Sequence, residues 1–161
     1  MKASILVVAV AAAAVGLAVP ALGTGGGDAR KILDAKVLAP VVEPYTGSSN
    51  PIRDLAGGGK PWQISSGEAT LRADGSLHVE VEGLVLVATQ ANPFTQLRAV
   101  VSCQTIDAGA AAVANVETPL VPASSSGDAE IDTTVALPSP CYAPIVFVTS
   151  PGDAWFAVSG R

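Results

Sequence analysis

One stretch of the chain alternates apolar and polar residues, and this alternation constrains the fold more than any other feature. In residues 66–83, SGEATLRADGSLHVEVEG, the apolar positions include Leu71, Leu77, Val79 and Val81. Successive side chains of a strand point to opposite faces, so a period of two is typical of strands that are buried on one face. The stretch therefore predicts a β-hairpin with one apolar face and one polar face.

The same alternation predicts the register of this hairpin. A two-residue turn at Asp74-Gly75 would pair Leu71 with His78 and mix apolar and polar side chains on every rung, which excludes it. A three-residue loop over residues 73–75 pairs Leu71 with Leu77 and places Gly75 where a left-handed backbone is needed. The outward pairs are then Thr70 with His78, Glu68 with Glu80, and Ser66 with Glu82.

Segments with the same period recur after Pro61, and helical patterns of ten or more residues are missing there. The candidate strands are Trp62–Arg72, Leu77–Val87, Leu97–Cys103, Val113–Glu117, Ala129–Leu137, Pro144–Thr149 and Ala154–Val158. About seven short strands separated by turn residues predict an all-β fold. At this size we expect an antiparallel β-sandwich, Ig-like or similar, over residues 61–161.

The segment before the domain has the order of a secretory signal peptide. Residues 1–23 read MKASILVVAVAAAAVGLAVPALG, with one basic residue, an uncharged apolar run and then small residues. This order predicts a signal helix that is cleaved after Gly23 or after Ala21, and hence a secreted protein. The alternative is an uncleaved anchor, since the apolar run approaches the roughly 20 residues that span a bilayer.

Residues 24–60 are rich in glycine and proline, as in LAPVVEPYTGSSNP and LAGGGKP. Repeated prolines oppose both a helix and a central strand, so we expect an extended arm that is laid over the domain. Within it, DARKILDAKVL has apolar residues at helical spacing behind Asp28 as an N-cap, which allows one short helix.

The chain contains two cysteines, Cys103 and Cys141. An even cysteine count in an exported protein predicts a disulfide, because the extracellular environment is oxidising. A redox-active or nucleophilic thiol would need a CxxC spacing or a neighbouring histidine, and the sequence has neither.

Charge and motifs argue against several classes of function. The formal net charge is −5 and the basic residues are scattered, which excludes nucleic acid as a partner because phosphate binding needs clustered Lys and Arg. His78 is the sole histidine and no Gly-x-Ser-x-Gly elbow occurs, so we expect neither an enzyme nor a cofactor. The alternative is a small secreted hydrolase whose carboxylates come together from distant strands.

The polar face of the predicted hairpin carries the candidate metal ligands Glu68, His78, Glu80 and Glu82. Carboxylates suit hard cations and imidazole suits transition metals, and two glutamates facing each other need a positive neighbour. A flat sheet face does not converge its ligands, however, so we expect a solvated surface on which Arg72 or another basic residue compensates the pair.

Aromatic residues are scarce, at 4% of the chain. Trp155 and Phe156 are adjacent on a candidate strand and therefore point to opposite faces. At least one of them should be exposed or covered by the arm, which makes this pair the candidate contact surface.

Four segments carry a resemblance to a known group of proteins: NPIRDLAGGGKPWQI, GEATLRADGSLHVEVEGLVL, LRAVVSC and LPSPCYAPIVFVTSPGDAWFAVSG. Together they resemble small exported proteins of high-GC Gram-positive bacteria that have no known activity. The resemblance implies secretion and a shared fold, and it brings no site residues. We therefore expect a non-catalytic extracellular binding or envelope-associated module with an unknown extracellular or cell-envelope partner; a membrane would be involved only through an uncleaved signal segment.

Overall fold

Strands and turns make up the described part of the computed structural model, residues 29–160, which contains no helix. The strands are β1 (Lys31–Ala35), β2 (Leu38–Pro40), β3 (Trp62–Gln63), β4 (Ser66–Arg72), β5 (Ser76–Glu82), β6 (Val85–Leu86), β7 (Gln96–Asp107), β8 (Ala110–Glu117), β9 (Val121–Pro122), β10 (Ala129–Thr134), β11 (Tyr142–Thr149) and β12 (Trp155–Ser159). The predicted signal helix over residues 1–23 lies outside the described residues. No helix among the described residues has the length and apolar character needed to cross a membrane.

The strands form a sandwich-like arrangement of antiparallel sheets, which confirms the predicted fold class. A four-stranded sheet has the order β1-β4-β5-β10, and a six-stranded sheet has the order β2-β12-β11-β7-β8 with β9 paired to β7. Strands β3 and β6 form a small separate ladder. The structure has more strands than the seven predicted. One reason is that the candidate Trp62–Arg72 splits into β3 and β4, and the candidate Leu77–Val87 splits into β5 and β6.

The hairpin of β4 and β5 has the predicted register. Leu71 pairs with Leu77, Thr70 with His78 and Glu68 with Glu80. Gly75 has a φ of +89°, and its amide donates to the carbonyl of Arg72 across the three-residue loop. The alternation therefore predicted the loop length correctly. Only a loop with an odd number of residues keeps the apolar residues of both strands on one face.

Apolar side chains of both sheets form one core. The inward residues of the hairpin, such as Leu71 and Val79, are buried, and they share a hydrophobic cluster with residues of β7, β11 and β12. In the middle of β7, residues 99–103 are all at most 1% exposed, although successive side chains point to opposite faces. The six-stranded sheet is therefore covered on both faces at its centre.

The predicted short helix is wrong, because its residues form edge strands. β1 pairs with β4 at the edge of the four-stranded sheet, and β2 pairs with β12 at the edge of the six-stranded sheet. An isolated helix of this length is marginal in water. The exposed edge of β4 instead offers hydrogen-bonding partners for the backbone of Lys31–Ala35, and Ala35 becomes buried.

The rest of the arm contacts the six-stranded sheet. The amide of Trp155 donates to the carbonyl of Ala56, and the amide of Gly58 donates to the carbonyl of Trp155. Arg53 crosses the neighbouring strands, with Nη1 donating to the carbonyl of Ser102 at 2.7 Å and Nη2 to that of Ala143 at 2.6 Å. These bonds fix the arm over β7, β11 and β12.

Candidate functional site

The outer face of the four-stranded sheet holds all four predicted metal candidates. One row of paired residues runs from Asp34 on β1 through Thr70 and His78 to Asp132 on β10. His78 Nδ1 lies 2.9 Å from Asp132 Oδ1, and Thr70 Oγ1 donates to Asp34 Oδ1 at 3.4 Å. This face, formed by β1, β4, β5 and β10, is called the acidic face below.

Carboxylates from three neighbouring strands meet in the next row of the acidic face. Glu80 is paired with Glu68 on one side and with Glu130 on the other. Ligand atoms of Glu68, His78 and Glu80 lie within 4.8 Å of one another, and so do those of His78, Glu130 and Asp132. The structure therefore brings three of the four candidates together.

The fourth candidate, Glu82, belongs to neither of these groups. It lies one outward pair further along β5, opposite Ser66. Its carboxylate accepts a hydrogen bond from Ser66 Oγ at 2.8 Å. A seryl hydroxyl thus satisfies this acid at the end of the hairpin.

The sequence predicts a basic residue beside the facing glutamates, and in the structure this residue is Lys36. Lys36 Nζ lies 3.6 Å from Glu68 Oε2 and 3.1 Å from Asp34 Oδ1. The hydrogen bond to Asp34 raises the pKa of Lys36, and the bonds from Lys36 and then Lys31 lower the pKa of Asp34. Arg72, the basic residue named from sequence, instead donates to the carbonyl of Ala29 at 2.9 Å.

The acidic face can attract a cation, but several of its candidate ligands stay exposed to solvent. The side chains of Asp132 and Glu68 are 67% and 43% exposed, and they line open depressions of about 400 and 350 Å³. Exposed carboxylates keep their hydration and gain little from binding an ion. The expectation of a solvated surface stays a prediction.

The acidic face also contains a histidine–carboxylate pair, His78 with Asp132. Among the described residues, the ring of His78 makes one hydrogen bond, to Asp132, and none to a hydroxyl group. Ser76 lies two residues earlier on the same face of β5, and its amide donates to Asp74 Oδ1 at 2.9 Å. A histidine held by a carboxylate but without a nucleophile is an incomplete triad.

A second site lies where the arm meets the turn before β7. Three rings are stacked there: Trp62 and Phe156 at 4.0 Å between centroids, Phe94 and Phe156 at 5.2 Å, and Trp62 and Phe94 at 6.3 Å. They line a depression of about 350 Å³ with Gly58, Gly59, Lys60, Leu86, Pro93 and Ala154. This depression is called the aromatic cleft below.

The candidate contact residues Trp155 and Phe156 are both buried, each with 2% of its surface exposed. The arm covers Trp155, whose ring packs at 5.8 Å from that of Phe147. Phe156 forms the floor of the aromatic cleft against Trp62. Trp155 therefore lies under the arm, Phe156 lies in the aromatic cleft, and the role of the pair as a contact surface stays a prediction.

The cysteines are joined as predicted. Cys103 near the middle of β7 is bonded to Cys141, which directly precedes β11, and their Cα atoms are 5.0 Å apart. The sulfur of neither residue is therefore available as a thiol nucleophile. The bond ties two neighbouring strands of the six-stranded sheet together at one end.

Sequence reasoning missed the partners that the fold supplies to each site. Lys36, Glu130 and Asp132 join the acidic face, and Phe94 joins the aromatic cleft. Alternation in Ala129–Leu137 does place Glu130 and Asp132 on a polar face. The pairing of β10 with β5 is the missing information, because the two strands are separated by more than 40 residues.

Comparison of the chain with protein-family models, with curated proteins and with solved structures found no match. The resemblance to small exported proteins therefore stays a prediction.

Proposed function

We propose that the protein is secreted and acts as a non-catalytic binding module at the outside of the cell, in contact with the cell envelope. The disulfide supports export, since such bonds persist in oxidising compartments. The signal-like order of residues 1–23 supports it independently. The incomplete His78–Asp132 pair supports a role without catalysis.

The aromatic cleft is the observation that carries the binding role. Ligand sites are concave and mostly apolar, with a small number of polar groups that fix orientation. In the aromatic cleft the stacked rings of Trp62 and Phe156 form a rigid floor, and the half-buried Phe94 forms a wall. Lys60 on the rim is exposed and supplies a donor. The site fits a ligand with a flat apolar face and hydroxyl or carboxylate groups at its edge, such as a glycan.

A glycan-binding experiment tests this role. We expect chitohexaose or isolated bacterial cell walls to change the fluorescence of Trp62, measured in the Trp155→Phe background so that one tryptophan reports. Removing the wall with Phe94→Ala should weaken binding, because an aromatic contact of this kind contributes about 1 kcal/mol. Tyr45→Ala removes an exposed ring elsewhere and should leave binding unchanged.

Equal binding by the Phe94→Ala variant and the parent would overturn the assignment to the aromatic cleft, and so would a failure of both probes to bind. Melting temperatures of the variants show whether a loss of binding reflects loss of the fold. Together, the binding signal and the melting temperature distinguish loss of the binding site from loss of the fold.

Export is tested separately by N-terminal sequencing of the protein from the culture supernatant. We expect a mature start at Thr24 or Leu22, which correspond to cleavage after Gly23 or Ala21. A start at Met1 in the membrane fraction would instead support an uncleaved anchor.

A carboxylate-based hydrolase has weaker support. Glu68 and Glu80 are close enough to act on one substrate bond, since their oxygens lie within 4.8 Å. Glycosidases, however, place such a pair at a fixed separation on either side of the scissile bond. Here both acids extend from the same face of one sheet, with Lys36 bound to Glu68, so a substrate could be approached from one side only.

A further inference from the structure

Strand β8 lies at the open edge of the six-stranded sheet and lacks the features that normally protect an edge. Among the described residues it pairs with β7 alone, through eight consecutive residue pairs without a register shift. Its sequence, AAAVANVE, has no proline and no charge before Glu117. The carboxylate of Glu117 is itself held by Arg98 Nη1 at 2.6 Å. Free edges of this kind are templates for another strand.

The other three edges of the two large sheets, at β1, β2 and β10, do carry protective features. β1 carries Lys31 and Asp34 and has a bulge, β2 has three residues and ends in Pro40, and β10 carries two acids. Charges, bulges, prolines and shortness are the usual means of blocking edge-to-edge pairing. Among the described residues, the edges of the two large sheets are therefore protected everywhere except at β8.

Exposed apolar side chains adjoin the same edge. Val113 on β8 is 39% exposed, Ile106 on β7 is 55% exposed and Tyr142 on β11 is 58% exposed. Pairing places them on one face of the sheet, because Gln104 is opposite both Val113 and Tyr142 and Ile106 is opposite Ala111. An apolar surface thus continues up to the unpaired edge.

We propose that two copies of this chain associate through β8, so that their six-stranded sheets join into one. A two-fold axis perpendicular to the sheet makes the two strands antiparallel and pairs residues of equal parity. With the axis at Val113, this residue faces its own copy, Ala111 faces Asn115, and Ala112 faces Ala114. Glu117 then lies opposite Gly109, so no carboxylate faces another.

The register described above is self-complementary, and the edge of β8 can accept a second copy despite the negative charge of the chain. The chain has a formal net charge of −5, and six acids lie on the acidic face: Asp34, Glu68, Glu80, Glu82, Glu130 and Asp132. Two copies therefore repel each other at most orientations. The edge of β8 is uncharged over Ala110–Val116, so it allows two acidic molecules to meet without facing like charges. Because both copies use the same edge, the association is closed at two.

Sedimentation equilibrium of the oxidised protein over a range of concentrations tests the proposal. We expect a monomer–dimer equilibrium and no larger species. Val113→Lys places two ammonium groups opposite each other at the axis and should raise the dimer dissociation constant about tenfold or more, because like charges directly opposite across strands are destabilising. Ala111→Lys, at a second exposed position of β8, should weaken the dimer in the same direction.

The matched control is Val37→Lys, which adds the same charge at a position that is 68% exposed and remote from β8. It should leave the dimer intact. Amide hydrogen exchange adds a measurement that needs no variant: amides of Ala110–Val116 should become more protected as concentration rises. A monomer at all concentrations, open-ended oligomers, or a dimer that survives both lysine variants on β8 would each overturn the proposal.

Discussion

At the scale of single residues, the acidic face shows how a fold tolerates like charges in contact. Parity in the sequence requires Glu68 to face Glu80, and such a pair is unfavourable unless a positive group lies nearby. The structure brings Lys36 from the turn between β1 and β2, and Lys36 also binds Asp34. Lys36, a residue of the arm, thus offsets part of the negative charge of the Glu68–Glu80 pair in the hairpin.

This compensation leads to a prediction about cations. We expect the melting temperature to be the same with Ca²⁺, with Zn²⁺ and with chelator, because Lys36 and water already satisfy Glu68 and its neighbours. Lys36→Gln removes the competing ammonium group and should make the melting temperature respond to Ca²⁺. A clear stabilisation of the unmodified protein by either metal would show that the cluster around His78 is a genuine cation site.

Asp128 provides a residue-scale prediction that depends on pH. Its carboxylate accepts hydrogen bonds from Ser126 Oγ at 2.7 Å, from the amide of Gly83 at 3.0 Å and from Ser124 Oγ at 3.0 Å. These bonds lower the pKa of Asp128, with the bond from Ser126 as the largest cause. They tie the turn before β10 to the turn after β5.

Asp128→Asn should lower the free energy of unfolding by about 1 kcal/mol at neutral pH, since hydrogen bonds to an exposed charged group contribute modestly. Because folding lowers the pKa of this carboxyl, its contribution is complete above the usual carboxyl pKa and disappears as the pH falls through the folded-state value. Urea denaturation at neutral and strongly acidic pH measures the difference, which should vanish in acid. Glu130→Gln serves as the control, and an equal effect there would contradict the explanation.

At the scale of elements, the β4–β5 hairpin could be predicted because its constraints are local. Alternation specifies which face is apolar, and an odd loop length follows from it. Gly75 then has to adopt the left-handed backbone of the loop. A Cβ atom added at Gly75 would also lie 2.0 Å from the carbonyl oxygen of Val135, a contact that the sequence does not reveal.

Gly75→Ala should therefore lower the free energy of unfolding by more than backbone strain alone would. We expect a loss of about 3 kcal/mol, at the upper end of the range for a strained non-glycine residue, because the segment after β10 must also shift. Gly109 is the matched control, since its φ is +83° and no atom lies within 4 Å of an added Cβ. Gly109→Ala should cost about 1 kcal/mol. Equal losses of stability in thermal or urea unfolding would show that the contact with Val135 is unimportant.

Two other elements escaped prediction because their partners are distant in sequence. The apolar spacing in DARKILDAKVL fits a helix as well as a strand, and the edge of β4 decides between them. The start of β8, in CQTIDAGAAAVAN, consists of alanines with weak strand preference, and pairing with the long strand β7 makes it extended. In both cases tertiary hydrogen bonds outweigh local preference.

At the scale of the whole molecule, hydrogen bonds between residues distant in sequence hold the arm on the six-stranded sheet. Without the arm, Phe147 and Trp155 would be exposed. The disulfide joins β7 to the start of β11 with a sequence separation of 38. It restricts the unfolded chain in the region that supplies the centre of the six-stranded sheet. A small domain depends heavily on such a link.

Removal of the disulfide should destabilise the protein by about 4 kcal/mol, the loop-entropy value for this separation. The double variant Cys103→Ala with Cys141→Ala should show a lower urea midpoint than the oxidised parent. The reduced parent should behave like the double variant, which controls for the loss of packing at the buried Cys103. A midpoint unchanged by reduction would mean that the bond does not contribute to stability.

The fold class, the hairpin register and the cysteine pair follow from the amino-acid sequence alone. These features depend on parity, turn chemistry and an even cysteine count, which are local or compositional properties. The three-dimensional structure shows that β1 and β2 complete the two sheets, that Lys36 compensates Glu68, and that no described strand pairs with the outer edge of β8. These features depend on which strands become neighbours, and neighbours are selected by the burial of the whole core rather than by any short segment.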